Sequence, residues 1–351
     1  MGVNIKDVAY RAGVSPSTVS RVIADHPRIS SETKERVLAV MKELDYHPNA
    51  IARSLVKKSS ETLGILIPNN IEEFFNPFFP EVLRGITQVA QAEGYDLFLS
   101  TSLNHLNDKE RTEKIIRSKR IDGLIILTSK ENDPLFEVLE RLRFPSVLIG
   151  RPPVTQESLL WVNNDNVKAS FEATQHLAEL GHKRIGFIGG SHDFIVTQDR
   201  LKGYHQALDA VGIPFDPRLI IAAEFIEEGG YLGMLRLLAL SDRPSAIVAS
   251  DDVLAFGAMR AAGEMGYRIP EDLAIVGFND IPLAKLSNPP LTTVSVNILE
   301  LGQKAAGMLI DQIQSPEEKQ QSAIIGHELV IRRSCGAWNP AFPYQPAMRD
   351  R

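Results

Sequence analysis

Residues 5 to 23, IKDVAYRAGVSPSTVSRVI, contain two short helix patterns separated by a glycine. The spacing of the apolar residues predicts a first helix that ends at Ala12, and Gly13 then supplies the permissive backbone of a tight turn. Ser15 offers an N-cap side chain, and Pro16 suits the first position of a helix because its missing N–H is not needed there. The stretch therefore predicts two helices joined by a turn.

A third helix is predicted to open at Ser30 or Ser31 and to end at His47-Pro48. Residues 1 to 60 hold ten Lys and Arg against six Asp and Glu, a net charge of +4, and the remainder holds 28 against 38, a net charge of −10. A small basic head on an acidic body is typical of a domain that meets a polyanion. A solvated basic helix face is the alternative, and charge alone does not separate the two.

The composition is that of a soluble folded protein. The chain has 351 residues, of which 44% are hydrophobic and 23% charged, so it allows two or three domains and disfavours global disorder. Cys335 is the one cysteine, which fits a reducing compartment. The sequence has no secretory signal pattern and no run of about 18 apolar residues. We therefore expect a cytoplasmic protein without a membrane segment.

From residue 61 onward, short β-branched runs alternate with longer amphipathic segments, which predicts parallel sheets covered by helices. The series restarts near Arg184, so two α/β halves are expected. Ligands of such folds bind where strands end, which predicts a site in the cleft between the halves. The predicted strands are 63–68, 95–100, 123–127 and 146–150 in the first half, and 184–189, 219–223, 246–250 and 274–278 in the second.

The patterns of common catalytic sites are missing from the sequence. There is no phosphate-binding G-x-x-x-x-G-K-[ST] loop, and the glycine-rich turn 186–190 lacks the third glycine of a dinucleotide fingerprint. Ser191 stands at the serine position of a G-x-S-x-G nucleophile elbow, but Asp193 replaces the final glycine of that motif. The eight histidines are scattered without metal-ligand spacing. We therefore predict no enzyme activity, no metal site and no cofactor.

The two helices around Gly13 form the outline of a helix-turn-helix, whose second helix can lie in the major groove of DNA. Simple helix packing has the same outline, but the basic excess and the expected exposure of Ser17, Thr18 and Arg21 favour DNA binding. The guanidinium of Arg21 can form a bidentate pair with guanine, whereas Ser15 and Ser20 are better placed for phosphate.

Several segments resemble the lactose-repressor (LacI) family of regulators, and the resemblance extends over nearly the whole chain to about Arg333. It implies a small all-α helix-turn-helix head and an α/β periplasmic-binding-protein-like core with two parallel-sheet subdomains. It also implies a homodimer on a pseudo-palindromic DNA operator, with a cleft ligand that alters how the two heads are held. The segments are 5–9, 12–15, 18–22, 46–55, 63–68, 122–125, 180–182, 200–204, 250–252 and 276–280.

Within this family, the head and the Phe-rich segment at 74–79 are similar to maltose or maltodextrin regulators of Gram-positive bacteria. The resemblance therefore implies a repressor that responds to a small sugar such as maltose or a maltodextrin. A catabolite-control type of regulator, which responds mainly to a phosphocarrier protein, is the alternative. A third class, an α/β enzyme with an accessory DNA-binding head, lacks a catalytic constellation.

The resemblance assigns DNA contacts to the second helix and to a hinge segment. Pro16, Ser17 and Arg21 would face bases, and Leu55 would wedge into the minor groove. Pro16 can contact a thymine methyl group but cannot donate a hydrogen bond, so it departs from the polar residues often found there. The complete expected DNA-binding set is Ser15, Pro16, Ser17, Thr18, Ser20, Arg21, Asn49, Ala52 and Leu55.

The resemblance also assigns an effector site in the cleft. Asn279 stands where many relatives have aspartate, and its amide keeps two donors and an acceptor suited to sugar hydroxyls. Phenylalanine is usually a core residue, so we expect at most one or two of the phenylalanines in the Phe-rich segment to line the pocket. The expected effector-binding set is Asn69, Phe74, Phe78, Arg200, Phe225, Asp251 and Asn279.

These expectations divide the chain into a head, a hinge, a two-lobed core and a tail. No leucine heptad follows Cys335, so a dimer is expected in place of a coiled-coil tetramer. The divisions are 1–48 for the helix-turn-helix, 49–60 for the hinge helix and linker, 61–335 for the effector-binding and dimerisation domain, and 336–351 for the tail. Within the core, the first lobe is expected at about 61–162 and 291–321, and the second at about 163–290 and 322–335.

Overall fold

The computed structural model describes residues 3–46, 59–67, 75–101, 108–153 and 159–337. The predicted hinge residues Asn49, Ala52 and Leu55 lie outside the described residues, as do Asn69, Phe74 and nearly all of the predicted tail. No helix in the described ranges is long and apolar enough to cross a bilayer.

The head consists of three helices around a small core of valine, alanine and methionine side chains. Asn4 caps the first helix through a reciprocal pair of bonds with Asp7, and Gly13 ends it with φ +66°. The left-handed conformation at Gly13 is one that a side chain would disfavour, so the glycine produces the predicted turn. The helices are α1 (Ile5–Ala12), α2 (Pro16–Ile23) and α3 (Ser31–Glu43).

The third helix ends earlier than the sequence predicts. Its last residue is Glu43, Leu44 is its C-cap, and Asp45 has φ +51°. The prediction that His47-Pro48 ends the helix is therefore wrong. A left-handed residue reverses the chain before the proline is reached, and aspartate tolerates that conformation better than most residues.

The core alternates strands and helices in the predicted way. The strands are β1 (Thr62–Ile67), β2 (Asp96–Thr101), β3 (Gly123–Ile126), β4 (Ser146–Ile149), β5 (Leu160–Asn164), β6 (Ile185–Gly189), β7 (Ile220–Ala222), β8 (Ala246–Ala249), β9 (Ala274–Asn279), β10 (Thr292–Ser295), β11 (Ala323–Ile325) and β12 (Glu328–Val330). The helices are α4 (Phe78–Ala92), α5 (Asp108–Arg117), α6 (Leu135–Leu142), α7 (Asn166–Glu179), α8 (Ile195–Ala210), α9 (Glu227–Leu238), α10 (Asp252–Glu264) and α11 (Ile298–Gln314).

The strands form two six-stranded sheets, one in each lobe. The first has the order β11-β5-β4-β3-β1-β2 and is parallel throughout. The second has the order β12-β10-β9-β8-β6-β7, and only β12 runs antiparallel to its neighbour. The central strands are buried along their length, as expected for sheets with helices on both faces. The predicted fold class is confirmed.

The chain passes between the lobes three times, after β5, after β10 and between β11 and β12. The second passage was expected before about residue 291 and the third at about residue 322, and both expectations are wrong. Strand β10 still pairs with β9 in the second sheet, and β11 pairs with β5 in the first. The prolines at 289 and 290 lie in a loop that leads into one more strand of the same sheet.

Helix α11 returns to the first lobe and packs against α4. The two helices approach closely because glycines face each other's backbones. A Cβ on Gly85 would lie 2.2 Å from the carbonyl oxygen of Leu299, and one on Gly302 would lie 2.3 Å from that of Val82. Any side chain at either position would push the helices apart, so this contact requires glycine.

The linker from the head enters the first lobe at an anchored point. Asp122, which precedes β3, accepts hydrogen bonds from the backbone N–H groups of Ser60 and Glu61, both at 2.8 Å. It also accepts from the hydroxyls of Ser59 and Ser60. The carboxylate therefore holds the start of β1 in place, immediately after the segment that leads from the head.

Candidate functional site

The surface of α2 is organised by Ser15, which is its N-cap. The Ser15 hydroxyl accepts from the backbone N–H of Thr18 at 3.1 Å and lies 2.7 Å from the Ser17 hydroxyl and 2.9 Å from that of Thr18. The N-cap bond satisfies a donor at the start of the helix and contributes about 1 kcal/mol of stability. Ser15 was expected to contact phosphate, and the structure gives its hydroxyl this capping role within the head.

The exposed side chains at the start of α2 are those that the sequence analysis expected to face bases. Pro16, Ser17 and Arg21 are exposed, whereas Thr18 and Ser20 are half-buried. The expectation that Thr18 is exposed is therefore wrong, because its hydroxyl turns in toward that of Ser15. The helix N-terminus adds a partial positive charge that favours a nearby anion. Arg21 lies one turn beyond Ser17, so both side chains face the same side of the helix.

A pocket lies between the two lobes of the core, and both lobes contribute walls. A cleft between two domains is a common place for a small-molecule site. The structure brings together five of the seven residues expected there, namely Phe78, Arg200, Phe225, Asp251 and Asn279. Asn69 and Phe74 belong to the segment outside the described residues.

Arg200 is the buried cation of this pocket, with 6% of its surface exposed. Its Nε donates to Asn166 Oδ1 at 2.9 Å, and its Nη1 donates to the carbonyl oxygen of Ser250. The guanidinium also lies 4.3 Å from the centroid of the Phe278 ring. Burial lowers the pKa of Arg200 to about 10, which still leaves it charged at neutral pH. The pocket therefore has a fixed donor group that is held from several sides.

Asp251 is the acceptor beside that cation. Its Oδ1 accepts from the backbone N–H of Val253 at 2.7 Å, which caps α10, and its Oδ2 accepts from Asn279 Nδ2 at 2.8 Å. Asn76 of the first lobe donates to the same Oδ2 at 3.0 Å, so this bond crosses the cleft. Burial raises the pKa of Asp251 to about 6 despite these donors.

Asn279 occupies a strained position at the end of β9. Its φ is +104°, a value that residues other than glycine rarely adopt. Such strain persists only where the surroundings enforce it, and it concentrates at functional sites. Here it turns the amide toward Asp251 and leaves Oδ1 3.4 Å from Arg200 Nη2.

The neighbouring Asp252 stabilises the second lobe from within. It is fully buried, and its carboxylate accepts from the Thr293 hydroxyl at 2.5 Å and from the backbone N–H of Ile281 at 2.9 Å. Burial raises the pKa of Asp252 well above its ordinary value. Of the two adjacent aspartates, Asp251 thus lines the pocket and Asp252 holds the strand-end loops that form its wall.

A second set of contacts joins the lobes at Arg151. Its guanidinium makes a bidentate pair with Asp199, with Nη2–Oδ1 2.8 Å and Nε–Oδ2 3.2 Å. Hydrogen bonding to Asp199 raises the pKa of Arg151. Nearby, the backbone N–H of Ile195 donates to the carbonyl of Ser129 at 3.1 Å, which adds a main-chain link between the lobes.

The pocket also offers apolar faces and an unused polar atom. Phe194 and Phe225 lie edge to face with ring centroids 5.6 Å apart, and the half-buried Phe78 adds a third ring to the lining. The buried Ser129 hydroxyl has no hydrogen-bond partner among the described residues. Rings beside buried donors and acceptors suit a ligand that has both hydroxyl groups and apolar C–H faces.

Sequence reasoning did not identify Asn76, Ser129, Arg151 and Asp199, or the asparagines at 163, 164 and 166, which also line the pocket. The polar run Asn163-Asn164-Asp165-Asn166 follows a short apolar run, and polar residues after a strand are a signal that could have been used. Strand β5 itself was not predicted, so that signal was overlooked. Among the described residues, no group of three or more His, Cys, Asp and Glu is placed to hold a metal ion.

Two family models match the chain. Residues 4–49 match bacterial regulatory proteins of the lacI family, and residues 174–335 match the periplasmic binding protein-like domain. The HTH-type transcriptional regulator MalR of Streptococcus pneumoniae is 38% identical over 338 residues, which cover 94% of this chain and 99% of MalR. The HTH-type transcriptional repressor CytR of Escherichia coli is 36% identical, covering 95% of this chain and 96% of CytR. Such relatives confirm the prediction of a regulator that is not an enzyme.

Solved structures agree with this assignment. A lac repressor dimer bound to operator and an anti-inducer has a TM-score of 0.85 at 25% identity and covers 95% of this chain and 99% of its own. A complex of the transcriptional regulator CelR with cellobiose has a TM-score of 0.74 at 31% identity, with the same coverage. The helix-turn-helix head, the two-lobed core and these similarities together show that the chain belongs to the LacI family of bacterial regulatory proteins.

Proposed function

We propose that this protein is a transcriptional repressor whose affinity for its operator is controlled by a small sugar bound between the lobes of the core. The observation that carries the proposal is the pocket between the lobes, where buried donors and acceptors stand beside aromatic rings on the same chain as a helix-turn-helix. Arg200, Asp251 and Asn279 would bind sugar hydroxyls, and Phe78 and Phe225 would contact the apolar faces of the ring.

In the head, Pro16, Ser17 and Arg21 would face base edges, with Arg21 as the residue that reads guanine. Thr18 and Ser20 would contact the phosphate backbone, because half-buried hydroxyls at the edge of the helix suit phosphate better than bases. Ser15 is exposed and remains in the proposed set as a phosphate contact. The hinge residues Asn49, Ala52 and Leu55 complete the set, with Leu55 as a minor-groove wedge. A DNA-binding role agrees with the cytoplasmic location predicted from the sequence.

The effector class is supported by the chemistry of the pocket and by the names of similar proteins. CelR is described in complex with cellobiose, and the name MalR agrees with the expected response to maltose or a maltodextrin. An uncharged polyol fits the pocket because the guanidinium and the carboxylate of the pocket already have hydrogen-bonded partners within the protein. The hydroxyl groups of a polyol can form further hydrogen bonds to these charged groups without bringing a new charge into a buried site.

A homodimer on a pseudo-palindromic operator is the assembly that we propose. The similar lac repressor is described as a dimer bound to operator, and a two-fold protein matches a two-fold DNA site. Sedimentation of the purified protein should show a dimer, and a stable tetramer would contradict this part of the proposal.

Two measurements on the full chain test the proposal. An operator is first selected from random DNA with the wild-type protein, and its affinity is then measured by fluorescence anisotropy with and without sugar. Calorimetry against maltose, maltotriose, cellobiose and ribose identifies the effector. We expect one of these sugars to release heat and to change operator affinity. If no sugar binds but a phosphocarrier protein does, the catabolite-control alternative replaces the sugar effector.

A further inference from the structure

One side chain contacts all three segments in which the chain passes between the lobes. Asn164 ends β5, the first passage, and its Nδ2 donates to the carbonyl oxygen of Val296 at 3.0 Å in the second. The same nitrogen donates to the carbonyls of Ile325 at 3.0 Å and Gly326 at 3.4 Å in the third. Asn164 therefore connects the segments about which the lobes must turn if they move.

The orientation of this amide follows from its partners. All three contacts are to carbonyl oxygens, which only accept, so the nitrogen end must face them. An NH₂ group has two hydrogens, and the longer contact to Gly326 therefore shares a hydrogen with one of the others. Asn164 is 4% exposed, and buried hydrogen bonds of this kind are costly to break because water does not replace them.

The same residue also lines the pocket, as does Val296, one of its partners. Every side-chain hydrogen bond that Asn164 makes to the described residues uses Nδ2, which leaves Oδ1 open to a donor. A sugar hydroxyl in the pocket can donate to that oxygen. The bond would polarise the carboxamide and strengthen the bonds that its NH₂ group makes to the passages.

We propose that Asn164 is a positioning residue that couples occupancy of the pocket to the relative orientation of the two lobes. The inference rests on the proposed function, since it requires a sugar effector and an operator response. A ligand changes an equilibrium between two orientations only through contacts that differ between them. Asn164 supplies such a contact because one small group touches both the ligand space and every connection between the lobes.

The test separates effector binding from its transmission to DNA. Asn164→Asp keeps the shape but places a carboxylate oxygen against three carbonyl oxygens, and Asn164→Ala removes the contacts altogether. Asn297→Asp is the matched control, because the Asn297 side chain makes one exposed bond, to the Gly326 carbonyl at 3.0 Å, and does not line the pocket. Aspartate also tolerates the left-handed backbone at this position, where φ is +50°. Asn164→Ser retains one hydroxyl donor and should lie between the wild type and the alanine variant.

The quantity measured is the ratio of operator affinities with and without saturating maltose, or the panel sugar that binds the wild type. Ratios of about 5- to 150-fold are typical of such coupling. We expect Asn164→Asp and Asn164→Ala to bring the ratio to within about 2-fold of unity, while effector affinity falls by less than about 10-fold. The Asn297→Asp ratio should match the wild type.

A merely structural role for Asn164 would lower the melting temperature and leave the ratio unchanged, and that result would overturn the inference. Operator binding without sugar reports whether each variant is folded, and Asn164→Ser substitutes for any that is not. A wild-type protein without any sugar response would refute the proposed function and this inference together. A responsive wild type with equally responsive Asn164 variants would refute this inference alone.

Discussion

In the head, the proposed reading residues Ser17 and Arg21 are exposed on one eight-residue helix, and the cap of that helix is their near neighbour Ser15. In the cleft, Arg200 and Asp251 are almost fully buried, and their partners come from segments throughout the core. The two sites thus differ in how far function is tied to stability. We expect that a proposed base-reading side chain can be removed at little cost to the fold, whereas a proposed ligand-binding side chain of the cleft also stabilises the core.

The largest effect is expected from Arg200→Ala. It removes a buried charged donor from Asn166, the Ser250 carbonyl and Asn279, and breaking such a network typically costs about 3 to 5 kcal/mol of unfolding free energy. The effector response should be lost while operator binding without sugar stays near normal, giving a non-inducible repressor. Denaturant unfolding and operator anisotropy measure the two effects.

Release of DNA by Arg200→Ala at the wild-type sugar concentration would show that the effector site is elsewhere. An unfolding free energy equal to that of the wild type would instead contradict the statement that the side chains of the cleft stabilise the fold more than those of the head.

Next in size is the pH dependence caused by Asp251. Its pKa of about 6 in the folded protein lies above the ordinary value of 3.8, so its protonated form favours folding. That stabilisation is fully present below pH 3.8 and is lost as the pH rises through 6. The Asp251→Asn side chain does not ionise, so the variant does not lose this stability as the pH rises. Relative to the wild type, the variant should gain up to about 3 kcal/mol of stability between pH 4 and pH 7.

Asp25 in the head provides the control for this titration, because a hydrogen bond from Lys34 lowers its pKa. Its stabilisation is present above the ordinary pKa and is lost as the pH falls, so Asp25→Asn should show the opposite sign. Urea unfolding at several pH values measures both variants. Equal pH profiles for Asp251→Asn and the wild type would contradict the assignment.

Arg21→Ala should cost about 1 to 3 kcal/mol of binding free energy on the specific operator and much less on random DNA. Arg21 is exposed, so the melting temperature of the free protein should hardly change. Anisotropy with both DNAs, beside a thermal melt, checks the two statements. Equal losses on both DNAs would make Arg21 a phosphate contact.

The smallest effect is expected from the pair Arg151 and Asp199. The Arg151 side chain is 36% exposed and that of Asp199 12%, so solvent weakens their attraction and we expect a coupling energy of about 1 kcal/mol. A double-mutant cycle with Arg151→Met and Asp199→Asn, read out as sugar affinity, measures it. A coupling energy as large as that of a fully buried pair would contradict the statement that solvent weakens the interaction at the edge of the cleft.

Pattern reasoning predicted the head well because its structure depends on neighbours in sequence. Ser15 caps its own helix, Gly13 produces its own turn, and the valines lie at helical spacing. It predicted the end of α3 less well, because the chain turned at Asp45 before the proline at position 48. The core strands were predicted from their apolar runs, apart from β5 and the last three strands, which are short or polar at their ends.

The residues of the cleft were predicted by resemblance to a family, since no spacing in the sequence joins Arg200, Asp251 and Asn279. Arg151 and Asn76 were not predicted at all. Their partners Asp199 and Asp251 lie in the other lobe, far away along the chain, and only the folded structure makes them neighbours.

The sequence by itself determined the helix-turn-helix, the alternation of strands and helices and the basic head, because these follow from local periodicity, capping and composition. The tertiary structure alone decided where the chain passes between the lobes, which polar groups meet across the cleft and which amide joins the three passages. The physical reason is that burial and hydrogen bonding between distant segments depend on the packing of whole sheets. An asparagine such as Asn164 has the same local pattern whether it ends an ordinary strand or holds two lobes together.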